Sequence, residues 1–294
     1  MNARSAANRT VLKAPLQHLL RVAAFLAFLF AYIAPIGGRV SYASAAEPSE
    51  GNVAIVLVYH RFGPIVADSM TVTTPVFAWQ LKYLHDNGYT VIPLRDVVKF
   101  VAGRGSLPAR AVAIAADDGH RTVFTEMKPL VERYRIPVTL FIYPSAISNA
   151  SYAMTWEQLA ELKATGLFSI ESHTYWHPNF HTEKKRLPAG EYRNFVATQL
   201  EKSRTILERR FNSTVDMLAW PFGIYDDELI AAARKAGYVA AFTIERRNAS
   251  PNGNVMAIPR YIVTNHDTGK TFANLVSGAS AERANQPPRA NNPY

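Results

Sequence analysis

The chemistry this chain could perform is concentrated in a few short stretches. In Ala111-Val-Ala-Ile-Ala-Ala-Asp117-Asp118-Gly119-His120, an apolar run of strand length stops at two adjacent acids and a glycine. Adjacent carboxylates repel, so keeping both ionised calls for a cation beside them. The second stretch, Ser172-His173-Thr174-Tyr175-Trp176-His177-Pro178, follows another apolar run, Leu167 to Glu171. Two histidines at i and i+4 can reach one ion from a helical turn or a tight loop, and Pro178 stops any regular helix beyond them. One acid and two imidazoles (Asp118, His173 and His177) make the three protein ligands of a catalytic metal site that keeps one position for water. This donor set suits Zn²⁺ first, with Co²⁺, Ni²⁺ or Fe²⁺ compatible. Water on such an ion has its pKa lowered to about 7. Asp117, not needed as a ligand, is placed to accept the proton. A third stretch, Trp220-Pro221-Phe222-Gly223, opens a loop where the backbone N–H of Phe222 is the simplest donor to a developing oxyanion.

These stretches need elements that bring them to one place. Buried strands are expected at Val53–Tyr59, Tyr89–Pro93, Ala111–Asp117, Ile136–Tyr143, Leu167–Glu171, Asp216–Trp220, Ala240–Ile244 and Ala257–Val263. Between them fall helical patterns at Pro75–Asn87, Leu94–Ala102, Thr122–Tyr134, Ala189–Phe211, Asp226–Ala236 and Thr268–Val276. Thr155-Trp-Glu-Gln158 reads as a capping box that opens one more helix, ending near Ala164. Strand and helix alternate along the whole length, which implies parallel strands with crossover helices. The candidate residues follow several different strands, so the expectation is an α/β fold: a (β/α) barrel of seven or eight units presenting them at one face. No Gly-, Ser- or Pro-rich linker divides residues 47–279, which read as a single domain.

The first 46 residues carry five basic residues and no acidic one. A basic stretch ending at Arg21, the apolar run Val22–Ala34 and the small residues Ala43-Ser-Ala-Ala46 read as an export signal. The apolar run is shorter than the roughly 20 residues a membrane-spanning helix needs. The expected protein is therefore periplasmic or secreted, without stable membrane insertion once the signal is removed; an uncleaved anchor is the competing reading. Residues 280–294 have the composition of a disordered tail. The formal charge of +9 comes partly from the signal; without it 27 basic residues face 23 acidic ones. That mild and scattered excess points away from nucleic acid as a partner. With no cysteine, the chain has neither a disulfide framework nor a thiol to lipidate. Oligomeric state is not legible.

Asp117-Asp118-Gly119, His173-Thr-x-x-His177-Pro178 and Trp220-Pro-Phe-Gly223, in that order, resemble the motifs of the polysaccharide deacetylase family (NodB homology, carbohydrate esterase family 4). The likeness runs from Val53 to Val263. Val58-Tyr59-His60 and Ile258-Pro259-Arg260 look most like the branch that de-N-acetylates poly-β-1,6-N-acetylglucosamine in biofilm matrices. The resemblance implies a distorted (β/α) barrel, with Asp117 as catalytic base and Asp118, His173 and His177 as metal ligands. It also implies an acetylated polysaccharide as the partner and substrate. Two features depart from the family. The arginine that opens its third motif and orients the base is replaced by Ala219, leaving Arg260 as the available substitute. The family's acid is a histidine in a C-terminal Leu-x-His motif, for which His266 is the nearest candidate. Among the aromatic residues, Tyr175 and Trp176, between the ligand histidines, and Trp220 are expected to bind sugar. The resulting expectation is a metal-dependent polysaccharide N-deacetylase. The alternatives are an O-acetyl esterase on another acetylated glycan, or a non-catalytic glycan-binding protein that keeps the fold.

Overall fold

The computed structural model describes residues 53–278; the expected signal at 1–46 and tail at 280–294 lie outside the described residues. The chain runs β1 (Ile55–Tyr59), β2 (Arg61–Gly63), β3 (Thr71–Thr73), α1 (Thr74–Asp86), β4 (Thr90–Val91), α2 (Leu94–Val101) and β5 (Ala111–Asp117). A π-type turn, Val123–Met127, leads into α3 (Lys128–Tyr134), then β6 (Val138–Ile142), α4 (Trp156–Ala164) and β7 (Phe168–Ser172). There follow α5 (Phe180–Arg186), α6 (Ala189–Phe211), β8 (Met217–Ala219), the short 3₁₀ turn Pro221–Gly223, α7 (Asp227–Lys235), β9 (Ala240–Phe242), β10 (Tyr261–Ile262) and α8 (Gly269–Val276).

β1 and β5 are buried at every position, as parallel strands are when both faces are covered. The main sheet is parallel in the order β10-β1-β5-β6-β7-β8-β9, with β4 along the start of β5. A parallel bridge from Phe242 to Ile258, three residues before β10, joins the two ends. The last strand therefore starts beside β9, turns at Pro259-Arg260 and finishes beside β1, closing the expected barrel. Side chains alternate across this wall. Leu57, Val112, Ile114, Leu140 and Ile170 face outward, where they meet Leu81, Leu84, Val131, Leu159 and Phe272 of the helices. Val56, Val58, Ala113, Ala115, Phe141 and Phe242 face inward and pack with Val97, Val98 and Val101 of α2. The alanines of β5 leave room for that helix inside the wall.

β7 and β8 share only the register pair Ser172–Leu218. The buried Glu171 side chain reinforces that thin join, accepting from the backbone N–H groups of Asp216 (3.1 Å) and Met217 (3.0 Å). Most sequence boundaries agree with these elements. The small parallel sheet of β2 and β3 and the helix α5 were not expected, and they lie where the chain has no sustained period. Among the described residues no helix is long and apolar enough to cross a membrane.

Candidate active site

Every group with candidate chemistry lies just past the carboxyl end of a barrel strand: His60 after β1, Asp117 and Asp118 at β5, His173 and His177 after β7, and Phe222 after β8. The local backbone is unusual at these positions. Asp118, Thr174, His177 and Phe222 all have positive φ, at 71°, 63°, 61° and 56°. Left-handed conformation costs roughly 1–2 kcal/mol for a residue with a Cβ, and such strain gathers where the surrounding structure holds a site in place. Gly119, at φ 70°, completes the turn after the acids, and a Cβ there would stand 3.0 Å from Ile147 and 3.1 Å from Ile142. Thr174 Oγ1 accepts from His177 N–H at 3.2 Å. The i, i+4 histidines are thus set on a tight loop rather than on a helix.

Three donor atoms converge. His173 Nε2 and His177 Nε2 lie 3.6 and 3.7 Å from Asp118 Oδ1. These separations are too long for good hydrogen bonds. Ligand atoms about 2.1 Å from one small tetrahedral ion stand about 3.4 Å apart. Asp118 Oδ1 is buried without a partner, the condition of a ligand oxygen that an ion would satisfy. His173 Nδ1 lies 2.8 Å from the Ala219 carbonyl. A carbonyl only accepts, so Nδ1 carries the proton and Nε2 keeps its lone pair for a metal. Burial lowers the His173 pKa to about 3 and also lowers that of His177, so both imidazoles are neutral, as ligation requires. Burial pushes the Asp118 carboxyl up, with the charge of His60 opposing and that of Asp117 adding; a dication would reverse that balance. Asp118, His173 and His177 can together hold a divalent metal. His173→Ala is expected to weaken metal affinity by at least about 100-fold, measured by equilibrium dialysis; unchanged affinity would remove His173 from the ligand set.

Asp117 faces into the barrel, where Arg260 grips it. Nη1 and Nη2 donate to the two carboxylate oxygens at 2.8 Å each, while Arg260 Nε donates to Thr243 O at 2.9 Å. The guanidinium lies near the rings of Phe141 and Phe242 and is fully buried. Burial alone would raise the Asp117 pKa, but the charge of Arg260 and the hydrogen bonds it donates more than offset it and hold the value at about 2. Arg260 thus pairs with Asp117, as expected of it where Ala219 supplies no side chain. Ala219 contributes through its carbonyl instead.

The remaining candidates sort differently. Phe222 is exposed, its ring 4.6 Å from that of His177, and its N–H has no protein acceptor among the described residues. Trp220 was expected to bind sugar, but it is fully buried and its Nε1 donates to Met256 O at 2.9 Å. Residues 218 and 220 face the helices while 217 and 219 face the barrel interior, so Trp220 has no face to offer. Tyr175 carries Lys202 Nζ 3.9 Å above its ring, and Trp176 sets its edge against Phe195; both contacts are with α6 rather than with the metal ligands. His266 is exposed on the loop before α8, and its imidazole has no hydrogen bond among the described residues. Sequence reasoning missed His60 as a site residue. Its neighbour Tyr59 pairs in register with Ala116, which puts His60 beside Asp117, and its Nδ1 is buried without a partner. The sequence offered only its place at the end of an apolar strand; the neighbour that makes it a candidate comes from the register of β1 on β5.

The family model described as polysaccharide deacetylase matches residues 104–241, spanning the acids, both histidines and the Pro-Phe-Gly turn. Over those residues the chain is similar to the polysaccharide deacetylase family. A poly-beta-1,6-N-acetyl-D-glucosamine N-deacetylase of Staphylococcus epidermidis is 26% identical over 255 residues, covering 80% of this chain and 86% of that protein. The fold is shared with IcaB from Ammonifex degensii, at TM-score 0.68 and 23% identity over 79% of this chain and 99% of that one. It is shared as well with the Streptococcus pyogenes deacetylase PplD, at TM-score 0.67 and 20% identity over 78% and 99% of the two chains.

Proposed function

We propose that this protein is an exported, metal-dependent hydrolase that removes N-acetyl groups from a polymer of N-acetylglucosamine of the β-1,6-linked kind. The observation that carries the reading is the pairing of two adjacent features with separate roles: a three-ligand metal cradle and, beside it, a carboxylate kept ionised and oriented by Arg260. A pure binding protein has no use for the second. When bound, a divalent ion supplies the Lewis acidity that acidifies water and polarises a carbonyl; zinc is the metal the donor set suits best. Asp117 accepts the proton of the attacking water. Each of its oxygens retains a lone pair beyond the one Arg260 occupies, and the pair fixes the plane in which those lone pairs point. The N–H of Phe222, held outward by its left-handed backbone, donates to the developing oxyanion. His60 protonates the departing amine, taking the role for which His266 was the sequence candidate.

The N-acetyl reading is favoured over an O-acetyl esterase by the site of His60, because an amine needs a proton to leave and an alcohol needs it less. The test is to assay acetate and free amine together on poly-β-1,6-N-acetylglucosamine. One amine per acetate is expected; acetate without amine would establish the esterase. His60→Ala is expected to lower kcat on the acetamide by about 100-fold or more, the range of a lost general acid. On 4-nitrophenyl acetate, whose leaving group needs no proton, the loss should be less than tenfold. Equal losses on both substrates would remove His60 as the acid.

A further inference from the structure

On the flank of the cradle formed by the loop after β6, one large ring is fixed in place and left open. Tyr152 is 41% exposed. Its ring stacks on His120, centroids 6.1 Å apart and planes within 14°. Its hydroxyl is hydrogen-bonded to that of Tyr143, whose ring lies 5.4 Å from the ring of the ligand His177. The backbone is tied just as firmly. Tyr152 O accepts from Arg121 N–H at 2.8 Å and Met154 N–H donates to Gly119 O at 2.9 Å, the two bonds that make the bridge between Ala153 and His120. Every backbone tie runs to the turn that follows the metal-ligand Asp118.

An isolated exposed aromatic ring needs no explanation, but one held by a stack, a hydroxyl and two backbone hydrogen bonds has already lost the freedom that binding would otherwise have to remove. His120 lies near-parallel to the ring and offset from it, so ring surface remains open to solvent. A pyranose ring has an apolar C–H face of matching size, and a tyrosine combines such a platform with a polar tip. Tyr143 stands between Tyr152 and His177, so a sugar on Tyr152 lies one ring further from the metal cradle than the sugar being hydrolysed. On the other side of His177, Phe222 is 55% exposed. The cradle thus lies between two open aromatic rings, an arrangement suited to the interior of a chain and of little use to a single sugar.

We propose that Tyr152 is a substrate-positioning platform that binds the sugar next to the one deacetylated, and so selects polymer over monosaccharide. The proposal rests on the deacetylase reading. Tyr152→Ala is expected to raise KM for poly-β-1,6-N-acetylglucosamine about tenfold with kcat within about twofold, the signature of lost uniform binding. The ratio of kcat/KM on polymer to that on a single N-acetylglucosamine glycoside should fall about tenfold, and Tyr152→Phe should restore most of it. A wild-type KM, an equal loss on polymer and monosaccharide, or a fall in kcat accompanied by lost metal would each overturn the platform. The last of these would mark a structural role through Tyr143. Binding of a β-1,6-N-acetylglucosamine pentamer, measured by calorimetry with Asp117→Asn and with the Asp117→Asn/Tyr152→Ala double variant, separates the two claims. A Kd unchanged by the second substitution overturns the platform, whereas failure of the wild-type protein to release acetate overturns the deacetylase reading.

Discussion

Asp117→Asn should lower turnover by at least about 1,000-fold while leaving the bound metal in place. General-base catalysis alone is worth roughly 100- to 10,000-fold. The carboxamide also loses the bidentate acceptor that Arg260 requires, since its NH₂ end would face a guanidinium that only donates. The ligands Asp118, His173 and His177 are untouched, so metal stoichiometry is the control. An Asp117→Asn protein that retains a tenth of wild-type activity would eliminate Asp117 as the base. Some loss of stability should accompany the change. The Asp117 pKa of about 2 lies below the ordinary aspartate value of about 3.9, a difference that corresponds to about 3 kcal/mol. Because the folded value is the lower one, this contribution is present above pH ~4 and is lost as the pH falls through the folded value of about 2. The Asn variant lacks it throughout.

Arg260→Met tests the other half of the pair and carries the second large effect. It removes a buried cation and strands a buried carboxylate, a change that typically costs about 3–5 kcal/mol. Without the guanidinium the burial of Asp117 is no longer offset, so its pKa should rise above the usual aspartate range. In the wild-type protein Asp117 stays ionised at every pH above about 2 and contributes no acid limb to the rate near neutrality. In the Met variant an acid limb should appear at higher pH, with kcat/KM falling as the pH drops, and the plateau rate should be reduced about 100-fold. Arg260→Lys should recover charge but not the two-point grip, and so restore the pH profile more than the rate. A Met variant with a wild-type pH profile would show that Arg260 does not govern Asp117.

The sequence yielded the barrel because its signals were local and repeated. The longest buried strands, β1 and β5, were nearly continuous apolar runs, the capping box at Thr155 was present as read, and the long helix Ala189–Phe211 matched its amphipathic pattern. The three residues of the candidate metal site were legible for the same reason, since each motif lies within a few residues of a strand end. What was harder to read depended on contacts between distant parts of the chain. Arg260 reaches Asp117 across 143 residues of sequence, and it could be named as a substitute but not placed. His60 lies beside Asp117 only through the register of β1 on β5. The surroundings of Tyr175 and Trp176 were not legible either: the left-handed residues Thr174 and His177 turn that loop so that both aromatics meet α6. The Trp220 error was avoidable, because the two-residue alternation of β8 already put it on the helix-facing side once Ala219 was assigned to the interior.

Metal-dependent deacetylation is tested most directly by acetate release from poly-β-1,6-N-acetylglucosamine by the purified protein, stripped of metal by chelation and then titrated with Zn²⁺, Co²⁺ or Ni²⁺. Negligible release is expected from the stripped protein, with recovery that saturates at one metal ion per chain. No recovery is expected in the Asp117→Asn variant loaded to the same stoichiometry. Release that persists without metal, or stoichiometric metal with no release from this polymer, from chitin oligomers or from acetylated xylan, would contradict the deacetylase reading.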